Sequence, residues 1–305
     1  MVCHMQRISW IDRGQTVSFE KCAEAEPRPN CVGVARLGSL QTSGTVFTLW
    51  MQLRGSSWIE SREGRFRLHQ REWIAFEKES RPMVQAGRDG ICIGVALDGD
   101  ALRLLGTLAD SSIYTGHGRM SRPEARLALR LWREAQAGVL NSVHALRPLL
   151  LHVASLQREL ADVVQRCPGR SRMRKRQVFS RMQRAHMYLE GNSHRVVRIG
   201  ELAELTNFSS WYLSKTFQSL YEESPQSLSA RLRLERAAML LRDTDMMIGE
   251  VASASGFDNC CSFARAFRAR FGTSATRYRE SGVAFPPESA KSAGGSRKPV
   301  ASVRT

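Results

Sequence analysis

Two copies of one short pattern constrain the fold of this chain more than any other feature. Residues 199–203 read Ile-Gly-Glu-Leu-Ala, and residues 248–252 read Ile-Gly-Glu-Val-Ala. Further matches follow, with Phe208 aligned to Phe257 and, one residue out of step, Phe217 aligned to Phe267. A repeat with one extra residue in its turn indicates two copies of a supersecondary unit. Each copy predicts a short helix, a turn and a second helix, which is the helix-turn-helix arrangement.

The second helices of the two units are predicted over about 211–221 and 260–271. Between them, Ser224-Pro225 supplies a cap residue and a proline at the first helical position, which predicts a long helix over 225–241. Such a helix is roughly 25 Å long at about 1.5 Å per residue. Allowing for the width of each unit, the two second helices can lie about one DNA turn, roughly 34 Å, apart, as recognition helices in successive major grooves do.

The outward faces of these second helices carry side chains that can reach base edges or phosphates. The alternative to a DNA contact by Trp211 is a role in packing its helix. The alternative for Lys215 and Arg265 is that they are ordinary surface charges. A redox or metal-sensing role is a weaker alternative for Cys260-Cys261. The candidate DNA-contacting residues are Ser209, Ser210, Trp211, Ser214, Lys215, Gln218, Asn259, Cys260, Cys261, Arg265 and Arg268.

The charge distribution supports an anionic partner. The chain has a formal net charge of +16, and residues 166–281 hold 20 Lys/Arg against 11 Asp/Glu. A basic excess around the repeat favours nucleic acid or a membrane surface as the partner. Arg outnumbers Lys by 39 to 6, so part of the excess reflects composition. The second unit has Arg265, Arg268 and Arg270 where the first has only Lys215, which predicts a stronger charge-driven grip by the second.

The first hundred residues predict a β-rich region. Short segments rich in β-branched and aromatic residues alternate with turn residues, which is typical of a barrel or sandwich. The predicted strands are 32–37, 46–53, 58–60, 66–68, 73–76 and 91–97. Helical periodicity then predicts two helices over 123–137 and 142–166, joined by residues 138–141.

We therefore expect an α+β chain with two domains. Residues 1–165 form the first domain, 166–177 a basic linker, 178–281 the helical domain and 282–305 a disordered tail. No run approaches 18 apolar residues, which excludes a membrane span. The seven cysteines form no CxxC pair and no zinc spacing is present, so we expect reduced thiols in a cytoplasm, no metal and no cofactor.

Residues 178–279 resemble the DNA-binding domain of the AraC/XylS family of bacterial transcription regulators. The resemblance rests on the repeated Ile-Gly-Glu-x-Ala, the turn Gly-Phe-Asp at 256–258, the segment Phe-Ala-Arg-Ala-Phe-Arg at 263–268, Phe-Gly-Thr-Ser at 271–274 and Tyr-Arg at 278–279. It implies seven helices with two helix-turn-helix units. It also implies DNA contacts by Trp211, Ser214, Lys215, Cys260, Cys261 and Arg265. The chain departs from the pattern at Glu222, where the family often has glycine, at Ala275, where it has proline, and at the cap positions Arg198 and Met247.

The N-terminal half is similar to the cupin-like sensor barrel of this family. An effector site there would include Trp50, Trp58, Trp73 and Arg54, for which barrel core and a solvated strand face are the alternatives. The predicted function is a sequence-specific DNA-binding transcription factor controlled by an effector in that barrel. Its partners would be promoter DNA, RNA polymerase, a small molecule and a second copy of the chain. The alternative is a cupin-like enzyme with a DNA-binding appendage, for which no catalytic constellation is found.

Overall fold

The computed structural model describes residues 10–18, 30–42, 47–97, 99, 102–103, 113–137 and 146–281. The predicted tail 282–305 and the predicted turn 138–141 lie outside these ranges. The described chain has a β-rich N-terminal part followed by helices, so the expected α+β class is confirmed. No helix in the described ranges combines the length and the apolar character needed to cross a bilayer.

The N-terminal strands form two sheets. The strands are β1 (Trp10–Ile11), β2 (Thr16–Ser18), β3 (Asn30–Ala35), β4 (Ser39–Gln41), β5 (Phe47–Arg54), β6 (Ser56–Ser61), β7 (Gly64–His69), β8 (Glu72–Phe76), β9 (Met83–Ala86), β10 (Ile91–Leu97) and β11 (Gly116–Arg119). One sheet has the order β1-β3-β10-β5-β8-β11 and the other has the order β2-β4-β9-β6-β7. Each of the six strand segments predicted from the sequence overlaps a strand, but the predicted segment 32–37 is a strand only as far as Ala35. The five additional strands are short, and β1, β2 and β11 lie at sheet edges.

Side chains alternate between the two faces of the six-stranded sheet, as strand geometry requires. Trp50 and Ile74 point toward the five-stranded sheet, where they join a buried cluster with Ile59 and Val84. Leu49 and Met51 point to the other face. That face is covered by helices α1 (Arg122–Ala137) and α2 (Arg147–Leu156). The apolar stripes predicted for the helical segment therefore close the core of the N-terminal domain.

The second of the two predicted helices is divided at Gln157. Helix α2 ends just before it, and α3 (Arg158–Arg166) begins just after it. The Gln157 side chain donates to the carbonyl oxygen of Tyr114 and accepts from its backbone N–H, both at 2.7 Å. A buried amide that satisfies another segment's backbone is a tertiary contact, so helical periodicity alone could not locate this break.

From Arg172 to Ser281 every residue is described, and this stretch forms the seven helices that the resemblance implied. Helix α4 begins inside the segment 166–177 predicted as a basic linker, so residues 172–177 of that segment are helical. The helices are α4 (Arg172–Gly191), α5 (Ile199–Thr206), α6 (Ser210–Tyr221), α7 (Pro225–Asp243), α8 (Ile248–Ala254), α9 (Cys260–Phe271) and α10 (Ala275–Ser281).

Candidate nucleic-acid interface

Each repeat folds into two helices that cross around a small apolar core. In the first unit Leu202 of α5 packs with Leu213 and Phe217 of α6. In the second unit Val251 and Ala252 of α8 pack with Phe263 and Phe267 of α9. These contacts bury one face of α6 and one face of α9 and leave the opposite faces in solvent.

The turns of the two units use the same backbone conformation. Asn207 and Gly256 occupy equivalent positions and are both left-handed, with φ of 53° and 74°. At Gly256 a side chain would also meet the backbone, because an added Cβ would lie 2.8 Å from Cα of Arg195. Asparagine tolerates the left-handed region, so the first unit makes its turn without glycine.

Both second helices begin at a capping side chain. The Ser209 Oγ accepts from the backbone N–H of Tyr212 at 3.2 Å, and Asn259 Oδ1 accepts from Ser262 at 2.8 Å. Each of these oxygens accepts one backbone hydrogen bond, and the Ser209 hydroxyl hydrogen and the Asn259 amide N–H groups remain able to donate to DNA. The caps fix where each helix starts and therefore where its first turn points.

The glutamates of the repeated pattern cap the first helices. Glu201 accepts from the backbone N–H of Arg198 at 3.0 Å, and Glu250 accepts from that of Met247 at 2.8 Å. Arg198 and Met247 lack the side-chain oxygen of a Ser/Thr cap. The carboxylate three residues later still accepts from the backbone N–H of the cap residue, which is one of the two hydrogen bonds of a capping box. This capping role is not among those predicted from the sequence, although the glutamates stand at the spacing that signals it.

The candidate residues on α6 share an exposed face. Trp211 has 70% of its surface exposed and carries the Lys215 ammonium over its ring, 4.9 Å from the ring centre. Ser210 and Gln218 are exposed and Ser214 is half-buried. The cation–π contact holds Lys215 along the helix surface and keeps its charge in solvent.

The candidate residues on α9 are likewise exposed, namely Cys260, Cys261, Arg265 and Arg268. Arg270 differs, because its guanidinium lies 3.6 Å from the Glu235 carboxylate on α7 and over the Phe271 ring. The net positive charge of this helix surface therefore comes from Arg265 and Arg268. The structure thus places nine of the eleven predicted residues on α6 and α9 and the other two, Ser209 and Asn259, at the caps of these helices. Ten of the eleven are exposed and Ser214 is half-buried, and their contact with DNA stays a prediction.

The four candidate effector residues do not converge. Trp50 lies between the two sheets, whereas Trp73 lies on the opposite face of the six-stranded sheet with Trp132 nearby in the same cluster. Trp58 is on the outer face of the five-stranded sheet, where the Arg65 guanidinium lies 4.3 Å from its ring centre. Arg54 is exposed at a strand end. An effector site built from these four residues together stays untested, and their side chains lie on separate surfaces.

Within the described ranges, no group of three or more His, Cys, Asp or Glu side chains is arranged to hold a metal ion. The described cysteines are Cys31, Cys92, Cys167, Cys260 and Cys261, and all of them are free thiols. Burial raises the pKa of Cys31 to about 12 and of Cys167 to about 11, so both stay protonated at neutral pH. Cys260 and Cys261 are the exposed pair among them.

The helical part of this chain is similar in sequence to known helix-turn-helix proteins. A family model described as a helix-turn-helix domain matches residues 202–281. The HTH-type transcriptional regulator CdhR of Pseudomonas aeruginosa is 33% identical over an alignment of 121 residues, and the match covers 35% of this chain and 36% of that protein. The HTH-type transcriptional regulator GbdR of the same species is 31% identical over an alignment of 139 residues, and the match covers 41% of this chain and 38% of that protein.

A solved structure of a probable AraC family transcriptional regulator from Rhodopseudomonas palustris is 32% identical to this chain. The match covers 33% of this chain and 96% of the chain in that structure, with a TM-score of 0.32. The chain spans little more than a third of the length of the two curated relatives. The similarity to those two relatives is therefore partial.

Proposed function

We propose that the protein is a sequence-specific DNA-binding transcription factor of the AraC type, since a helix-turn-helix family model matches residues 202–281. The observation that carries this proposal is the pair of capped helices α6 and α9. Both have one face buried in their own unit and one exposed face with cationic and hydrogen-bonding side chains. Cations on such faces can neutralise phosphates or bind base edges, and shorter polar groups can bind base edges as well.

The two helices contribute differently in this proposal. Lys215 is the cation of α6, and it is held over Trp211. Arg265 and Arg268 are exposed on α9. A guanidinium can make bidentate contacts with guanine or phosphate, whereas an ammonium acts as a point charge. We therefore assign the stronger ionic contribution to α9.

Control of this activity belongs to the N-terminal domain in our proposal. A small molecule bound there would change how α6 and α9 are presented to promoter DNA or to RNA polymerase, and a second copy of the chain would pair through the same domain. The site of action would be the bacterial chromosome in the cytoplasm. The support for this part is the attachment of a β-rich domain to a DNA-binding one.

In-vitro selection from random duplex DNA with the full chain tests the central function. The wild-type chain should enrich one sequence pattern with two parts. Arg265→Ala should then relax discrimination at a few base pairs by about 1–3 kcal/mol. Arg130→Ala, which removes an exposed arginine from α1, is the matched control and should leave discrimination unchanged. A protein that enriches no sequence is not a sequence-specific regulator.

The enzyme alternative has a separate test. The curated relatives are transcriptional regulators, which makes catalysis by this chain the less supported alternative. A stoichiometric metal in the purified full chain, or product formation in a turnover screen, would favour the enzyme.

A further inference from the structure

The two helix-turn-helix units are attached to the N-terminal domain in different ways. Helix α4 lies between that domain and the first unit, and it contributes to the cores of both. Met187 of α4 is fully buried in the cluster between the two sheets. Phe179 of the same helix belongs to the cluster that contains Leu213 and Phe217 of the first unit. One rigid element is therefore shared by two cores.

A buried ion pair fixes α4 against the turn between β6 and β7. Glu63 in that turn is fully buried, and its Oε1 accepts from Arg184 Nε of α4 at 2.9 Å. Ser80 and Ser61 donate to the same carboxylate at 2.9 and 3.0 Å. Asn192, just after α4, donates to the Glu63 carbonyl oxygen at 3.0 Å. A buried carboxylate with this many donors holds its partner in one geometry.

The same turn approaches α4 at backbone distance. A Cβ added to Gly64 would lie 2.5 Å from the backbone of Gly191, and Gly64 has a φ of 125°. Two glycines at this crossing let the turn and the helix end touch without intervening side chains. The docking of α4 therefore does not depend on the ion pair alone.

A second line of contacts runs from β11 through α4 to the recognition helix α6. Gln183 of α4 accepts a hydrogen bond from the Tyr221 hydroxyl at the end of α6, at 2.7 Å. A Cβ on Gly116 of β11 would lie 3.0 Å from the Gln183 amide nitrogen. The His186 ring of α4 lies 4.7 Å from the Tyr221 ring, between ring centres. The end of α6 is thus held by Gln183 and His186 of α4, and Gln183 also lies close to Gly116 of β11.

The second unit has no comparable attachment among the described residues. The members of its buried cluster all lie between Leu234 and Tyr278. The hydrogen bond from Arg242 lowers the pKa of Asp243 at the end of α7, and the positive charge of Arg67 on β7 lowers it further. That contact is between surface charges, which are individually weak. Helix α9 packs on α7, α8 and α10. The second unit meets α4 through α7, whose Leu228 shares a cluster with Phe179, and through Gly256, which lies against Arg195 just after α4.

We propose that Glu63 is a positioning residue through which the N-terminal domain orients the first recognition helix, α6, and leaves α9 to its own unit. A change at the β6–β7 turn then moves α4 and α6 together relative to α9. The two DNA half-sites therefore respond unequally to the N-terminal domain. This inference rests on the proposed DNA-binding function for its consequence, but the mechanical coupling can be measured without DNA.

Hydrogen exchange of the full chain without DNA tests the coupling. Glu63→Gln keeps the side-chain shape and removes the charge that faces Arg184. It should raise amide exchange in α4 and α6 by about five- to tenfold, in the range of typical coupling between sites, with α9 unchanged. Glu79→Gln is the matched control, because Glu79 also contacts Arg184, at 3.2 Å, but is 56% exposed. Equal changes in α6 and α9, or equal effects of the two variants, would overturn the proposal.

A DNA measurement tests the functional consequence. On the sequence selected by the wild type, Lys215→Ala and Arg265→Ala assign the base pairs read by α6 and α9. Glu63→Gln should reduce discrimination at the α6 base pairs by about five- to tenfold and retain it at the α9 base pairs. Loss at both sets alike would contradict the proposal. Absence of any selected sequence would instead refute the DNA-binding function, while the exchange result still decides the coupling.

Arg184→Lys covers the case in which Glu63→Gln fails to fold. Lysine retains the charge but cannot span both Glu63 and Glu79 as the guanidinium does. It should give a smaller change of the same kind, confined to α4 and α6. Exchange that matches the wild type throughout α6 would contradict the positioning role.

Discussion

Glu222 and Gly272 occupy equivalent positions after the two recognition helices and share a left-handed backbone, with φ of 59° and 74°. Glycine adopts this conformation freely, whereas a residue with a Cβ is strained there by roughly 1–2 kcal/mol. The sequence departs from the AraC/XylS pattern at Glu222, but the backbone at Glu222 has the same left-handed conformation as the backbone at Gly272. The first unit therefore has the standard helix end with an energetic penalty.

Glu222→Gly should consequently stabilise the chain by about 1 kcal/mol in urea unfolding. Glu222→Ala separates the backbone from the charge, because it removes the carboxylate but keeps the Cβ. It should recover only the small gain from taking a negative charge off a helix C-terminus. Gly272→Ala should destabilise by a similar amount. If Glu222→Ala stabilises as much as Glu222→Gly, backbone strain is not the cause.

His117 and Glu190 make a pH-dependent contact between β11 and α4, at 2.9 Å. The Glu190 carboxylate raises the pKa of His117 to about 9 despite the opposing effect of burial. Burial alone would raise the pKa of Glu190, but His117 and His186 hold it below its ordinary value. The folded state therefore binds the His117 proton more tightly than the unfolded chain does. Its contribution to stability is full below pH about 6.5 and is lost as the pH rises through about 9.

The His117 side chain is 45% exposed, so we expect a contribution under about 1 kcal/mol. Urea unfolding between pH 6.5 and 9 should show a decline in the free energy of unfolding that is smaller in His117→Asn. His69→Asn, at an exposed position on β7, is the control and should follow the wild type. An unchanged slope in His117→Asn would show that the pair does not contribute.

At the scale of elements, the crossing of Gly64 with Gly191 is the most exacting contact. Gly64→Ala would place a Cβ 2.5 Å from the Gly191 backbone at a φ of 125°, so strain and steric overlap act together. We expect a loss of about 2–3 kcal/mol or more in the free energy of unfolding. Gly14→Ala is the matched control, since Gly14 also has a positive φ, of 71°, but no atom lies within 4 Å of its added Cβ. Equal losses in the two variants would place the cost in local backbone strain and not in the docking of α4.

Local chemistry made most elements predictable from the sequence. Helix α7 begins at Pro225 after the Ser224 cap, as this residue pair predicts, and the repeat predicts α5, α6, α8 and α9. The division at Gln157 was missed because it depends on a bond to Tyr114, 43 residues away. Short edge strands such as β1 and β11 were missed because two to four residues carry too little periodicity.

At the scale of the whole molecule, the sequence predicted two parts but not how they join. Glu63 lies in a turn between two strands, yet it is buried against Arg184, 121 residues later. Charged turn residues are usually solvated, so only tertiary structure reveals such a pair. The candidate effector residues show the same limit, since strand alternation sends Trp50 and Trp73 to opposite faces of one sheet.

The central claim is that the chain binds one DNA sequence through two recognition helices. The most direct measurement is the affinity of the full chain for its selected site and for a scrambled duplex of equal length, across a salt titration. We predict that the selected site binds at least about 10³ times more tightly and that the logarithm of affinity falls linearly with the logarithm of salt concentration for both duplexes. Equal affinities for the two duplexes at every salt concentration would contradict the account.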